Sequence, residues 1–120
     1  MTVSVDIWLR GTDCATTEAI EGVERPPRDW TDDDVRTVLE GMLRTMDRLK
    51  NPGAGDREVS LRGLSWIVNP YADGGVVIAI EITLGAAIAG PFDIDEAALN
   101  TMITRVLDRP AASPLSSTVH

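Results

Sequence analysis

Few residues in this chain have the chemistry to react, and each has a structural use that competes with a catalytic one. Histidine, the commonest general acid–base, occurs once among the 120 residues, as His120. Its position reads as ordinary tail sequence. Cysteine also occurs once, as Cys14. It has no second thiol for a redox pair and no other histidine to form a dyad. Asp32-Asp33-Asp34 lacks the alternating spacing of a calcium loop. Consecutive acids on a helix also point in different directions and cannot converge on one ion. They read as the acidic first turn of a helix, where the macrodipole favours negative charge. Glu81 differs from these because it interrupts the most apolar segment of the chain, Val76 to Leu84. A carboxylate in such a strand is where a perturbed pKa is looked for, or a cross-strand ion pair with Arg10 or Arg62. The structural reading carries more weight.

No phosphate loop is present. Gly53-Ala54-Gly55, Gly74-Gly75 and Gly85 match neither nucleotide-binding glycine pattern and read as turn residues. Tyr71 falls in one of these turns. No cofactor and no metal site are expected, and the chain reads as more suited to binding than to catalysis.

Composition narrows the partners. Nineteen acids against eleven bases give a net charge of −8. That repels nucleic-acid phosphates and anionic membranes. It favours solubility or a basic protein partner. The single cysteine allows no internal disulfide, which fits a reducing compartment and a cytoplasmic protein. No secretory leader is expected, since Asp6 falls where an apolar segment would be needed. The longest apolar run, Val76 to Ala89, carries Glu81 and Thr83 and is shorter than the ~20 residues of a membrane helix. Ten arginines against one lysine suggest a GC-rich bacterial genome.

The elements that would position these residues follow from periodicity. Val3, Val5, Ile7 and Leu9 alternate with polar residues in a first strand, Val3 to Arg10. Residues 12–29 show no clear period, and Thr16 to Glu21 could form one helical turn ended by Gly22. A first helix follows Thr31 as N-cap. Its stripe is Val35, Val38, Leu39, Met42, Leu43, Met46 and Leu49, and Asn51-Pro52-Gly53 ends it. A second strand spans about Glu58 to Val68. Val59 and Leu61 share one parity there, and Leu64, Trp66 and Val68 the other. A bulge at Gly63 would unite them on one face. The third strand places Val76, Ile78, Ile80, Ile82 and Leu84 on one face, with Gly85 to Pro91 extending or bending it. Asp93 and Glu96 form a capping box for a second helix.

The order β-α-β-β-α predicts an α+β domain over residues 1–109, followed by a flexible tail over 110–120. Its three-stranded sheet has spatial order 1-3-2, with the apolar third strand in the centre and both helices on one face. This is the split β-α-β arrangement of ferredoxin-like folds without a clear last strand; Leu115 to Val119 is a weak candidate for one. Two surfaces stay uncovered in this arrangement: the edge of the first strand and the sheet face opposite the helices. Trp8, Val77, Ala79 and Glu81 belong to that face, joined by Leu64, Trp66 and Val68 if the second strand has no bulge. A contiguous apolar patch of this kind is rare on a monomer. The expected function is therefore protein–protein contact, first as a homodimer through the open face or edge. An acidic binder of a basic partner, in the manner of an immunity protein or antitoxin, is a concrete version. The alternative is a small-molecule or enzymatic pocket on the same face beside Glu81.

Overall fold

A computed structural model describes residues 3–12, 14–53, 61, 64–72 and 74–108. In chain order these form β1 (Val3–Leu9), β2 (Thr16–Ile20), α1 (Asp32–Lys50), β3 (Ser65–Pro70), β4 (Val76–Ile82), β5 (Gly85–Phe92) and α2 (Glu96–Asp108). The strands make one five-stranded sheet of order β2-β1-β5-β4-β3. Every neighbouring pair is antiparallel. The fold is α+β, but the three-stranded 1-3-2 sheet expected from the sequence is incorrect, and so is the split β-α-β, ferredoxin-like arrangement.

Two strands account for the difference. Thr16 to Ile20 is an extended strand rather than a helical turn, paired along β1 from Val3↔Ile20 to Ile7↔Thr16. Its β-branched Thr16, Thr17 and Ile20 suit a pleated surface, and β2 occupies the edge of β1 that the simpler topology left free. The apolar segment after Val76 is two strands rather than one. The chain turns at Thr83 and Leu84, and Gly85 enters β5 with φ of 155°. A side chain at Gly85 would overlap the Trp8 carbonyl and the Leu9 backbone. Only glycine lets β5 approach β1 there. β5 then lies between β1 and β4.

The pleat separates the two sheet faces. Val3, Val5, Ile7, Ile20, Val68, Ile78, Ile80, Ala87 and Ala89 are buried on the helix side. Between Val76↔Phe92 and Ile78↔Ala89 the β4–β5 register shifts, so an extra residue on β5 turns Phe92 inward beside Val76. The Phe92 ring lies 4.8 Å, centroid to centroid, from Trp30, whose indole donates to the Arg25 carbonyl. Helix α1 meets β1, β2 and β5, while α2 meets α1 and β3. The buried stripe of α1 is Val35, Val38, Leu39, Met42, Leu43 and Met46. Gly41 lies where α1 crosses β2: an added Cβ would come within 2.7 Å of Ile20. That close approach offsets the poor helix propensity of glycine.

Both helix starts are capped. Thr31 accepts from the Asp34 backbone N–H, and the Asp34 carboxylate accepts from Thr31 in return. The capping box is thus Thr31/Asp34. In α2 it is Asp95, not Asp93, whose carboxylate accepts from the Ala98 N–H at 3.0 Å. Glu58, Gly63 and the proposed bulge, Arg62, the Leu115–Val119 strand, the 110–120 tail and His120 lie outside the described residues.

Candidate functional site

The sheet face opposite the helices is the most distinctive surface of the molecule. Cross-strand pairing sets its residues in rows. One row runs Trp8, Ala86, Glu81, Ser65 across β1, β5, β4 and β3. The next runs Asp6, Ile88, Ala79, Ile67, with Thr17 of β2 beyond Asp6. Val77 and Asn69 pair in a third. Small side chains, Ala79 and Ala86, sit between larger ones. The result is a shallow groove of about 350 Å³, lined by Trp8, Ser65, Ile67, Ala79, Glu81, Ala86 and Ile88. Trp8 and Ile67 flank it three strand spacings apart, roughly 14 Å. They are 38% and 52% exposed. Leaving a large apolar side chain in water forgoes about 1.5–3 kcal/mol that full burial would contribute. Among the described residues, no element covers this face.

The structure therefore brings Trp8, Val77, Ala79 and Glu81 together on the open face. Of Leu64, Trp66 and Val68, only Trp66 reaches the groove lining, and the strand register turns none of the three side chains onto the face. Trp66 pairs with Ile80 and Val68 with Ile78, and all three pack against the core on the helix side. The β3 register decides this, because the odd-numbered residues Ser65, Ile67 and Asn69 face outward. Ile67, Ala86 and Ile88 were missed by sequence reasoning. The signal for Ala86 and Ile88 was the turn before Gly85; once that turn is placed, period-two alternation points both outward.

The face is poor in reacting groups. Glu81 is exposed, and its carboxylate makes no hydrogen bond or ion pair among the described residues. Arg10, one of its two expected partners, instead donates its Nε to the Thr83 carbonyl at 3.1 Å; Arg62 lies outside the described residues. Asp6 accepts a hydrogen bond from the Thr17 hydroxyl at 2.7 Å. Among the described residues no histidine lies near the Ser65 hydroxyl; the sequence's single histidine, His120, lies outside them.

Three ion pairs lie away from this face. Arg25 meets Asp34 at 3.0 Å, Arg28 meets Asp93 at 2.9 Å, and Arg105 near the end of α2 meets Asp32 at the start of α1 at 2.8 Å. Burial opposes ionisation of Asp34, but the Thr31 backbone N–H, the Arg25 guanidinium and the Thr31 hydroxyl together outweigh it. They hold the Asp34 carboxyl below its ordinary value. The hydrogen bond to Asp32 raises Arg105 above the usual guanidinium range. Asp32, Asp33 and Asp34 thus occupy the first turn of α1, and among the described residues no three acids, histidines or cysteines form a metal cluster. Cys14 is exposed. A recess of about 110 Å³ between β2 and α1 includes Arg44, Thr45 and Arg48, and its Thr45 hydroxyl donates to the Gly41 carbonyl.

Among the described residues no helix is long and apolar enough to cross a membrane. No family model matches this chain, and neither a curated protein nor a solved structure matches it.

Proposed function

We propose that this chain is a non-enzymatic interaction domain that docks another protein on the open face of its sheet. The observation that carries the reading is the apolar surface running from Trp8 through Ala86, Ile88 and Ala79 to Ile67, with its two largest side chains still exposed. Tryptophan is among the residues most enriched at binding hot spots. Antiparallel sheets normally place polar residues on the face turned to water, and here aliphatic residues stand in their place. The homodimer expected from the sequence is one form of this reading, and a basic partner bound in the manner of an immunity protein is another. Cytoplasmic action fits the lone cysteine.

The test is a double substitution, Trp8→Ser with Ile67→Ser, in the full chain. Both sites are solvent-facing, so circular dichroism should show the fold retained. Proteins that co-purify with the unaltered chain from its native host, or the chain's own dimer, should be lost. Retention of every such contact by the variant overturns the reading.

A second reading places a small apolar ligand in the same groove. It is favoured by the concavity between Trp8 and Ile67 and by the Glu81 carboxylate and Ser65 hydroxyl at one end. Apolar walls with a few polar groups are what ligand sites present. Thermal-shift screening with small hydrophobic amines separates the two, since a ligand pocket would raise Tm without any protein partner.

A further inference from the structure

We infer that the open sheet face is the docking surface for a cationic protein segment carrying a bulky apolar anchor. The inference rests on the docking reading above and specifies its partner. It follows from the charges that the face itself carries.

Away from the sheet face, Asp32, Asp34 and Asp93 each have an arginine at 2.8 to 3.0 Å, while Asp33 and Glu40 on α1 have no ion pair among the described residues. On the sheet face the two acids, Asp6 and Glu81, have no ion-pair partner among the described residues. Asp6 accepts only the Thr17 hydroxyl. The one base that the described strands direct to that side, Arg10, is turned to the Thr83 carbonyl at the end of the sheet. The face therefore presents an apolar groove with one carboxylate inside it at Glu81 and a second beside it at Asp6.

This pattern selects among occupants. A second copy of the chain would bring its own Asp6 and Glu81 against these two, at a net charge of −8 on each copy. Like charges placed across an interface cost several kcal/mol and suppress that pairing. A polyanion is repelled for the same reason. A cationic segment gains at each point: steering by the field of the whole chain, charge-assisted contacts to Asp6 and Glu81, and burial of an apolar anchor between Trp8 and Ile67.

The test is selection from a displayed library of random peptides on the immobilised full chain. The enriched peptides are then titrated against variants whose denaturation midpoints match the parent. Enriched sequences should combine arginine or lysine with a large apolar residue. Asp6→Lys with Glu81→Lys should weaken them about tenfold or more and shift a repeated selection toward acidic peptides. Ile67→Asp should weaken them similarly. Asp108→Lys, half that charge change and placed at the end of α2, should leave affinity within about twofold after salt correction. Neutral or acidic peptides that bind the parent and are lost with Ile67→Asp overturn the cationic partner and spare the docking face. Peptides indifferent to all three face substitutions, or an empty selection, overturn both. A dimer in light scattering that Ile67→Asp dissociates assigns the face to a second copy and overturns the cationic partner alone.

Discussion

The two faces of this sheet are built from almost the same residues and face opposite environments. On the helix side β4 contributes Val76, Ile78 and Ile80, all buried. On the other side it contributes Val77, Ala79 and Glu81, half-buried or exposed. In β5 the contrast is reversed in size: Ala87 and Ala89 point to the helices and Ile88 points away. Hydrophobicity alone does not tell the faces apart. The helices do, because α1 and α2 cover one of them. The small inward residues of β5 leave room for α1, which contacts that strand. The larger outward Ile88 is half-buried, and no described element covers it. A strand that is apolar on both sides is a strand with two appointments, and only one is kept within the described fold.

Truncations should cost most on the inner face. Ile80→Ala removes a side chain that is 2% exposed and should cost about 2–5 kcal/mol in chemical denaturation. Leu43→Ala in α1, 4% exposed, should fall in the same range. If either left the denaturation midpoint unmoved, the helix-side core assignment would be wrong. Next comes the layer that covers the inner face. Thr31→Ala deletes the cap of α1 and should lower stability by about 0.5–2 kcal/mol, most of it recovered in Thr31→Ser.

The same cap gives a pH signature. Asp34 is held below its ordinary value of 3.8 in the folded chain. Its contribution is therefore present above the unfolded value and lost as pH falls through the lower folded one. Asp34→Asn should flatten the acid side of a stability–pH curve below about pH 4 and leave the slope near neutrality unchanged, as read by urea titrations at stepped pH. The smallest effect is expected on the outer face. Ile67→Ser should change folding stability by no more than about 0.5 kcal/mol, while abolishing partner binding. A large loss of stability in that variant would mean that the face is already packed against the chain's own residues.

Much of the helical part was legible in the sequence because its signals are local. Thr31, the acidic first turn and the three-four spacing of Val35 to Met46 are all read within one segment. The sheet was less legible, and two short stretches account for it. Thr16 to Ile20 is an edge strand with only Ile20 fully buried, so it carries no alternation to detect. Thr83-Leu84-Gly85 is a reversal without the usual asparagine or proline signal, set within a run that reads as one long strand. Missing these two strands also moved the free edge and misplaced the neighbours of β1. The face assignment of Trp8, Val77, Ala79 and Glu81 survived because it depends only on parity within a strand. Leu64, Trp66 and Val68 were ambiguous because their parity depended on a bulge at Gly63, a position outside the described residues. Charge legibility had a different limit: the count of acids is plain in the sequence, but which acids are answered by an arginine depends on the tertiary fold.

The β1–β5 ladder joins the first strand of the described chain to the last. The other three pairings, β1–β2, β3–β4 and β4–β5, are between strands consecutive in the chain. The molecule thus consists of a leading hairpin with its helix and a trailing meander with its helix, sutured along the β1–β5 ladder and, beneath it, where α1 packs on α2 and β5. Of the four ladders, β1–β5 pairs the strands farthest apart in sequence, so its closure carries the largest loop-closure entropy. Two fragments cut between the halves would meet along the same line, with Gly85 at its tightest point. The suture is where such fragments would recognise each other and reconstitute the sheet.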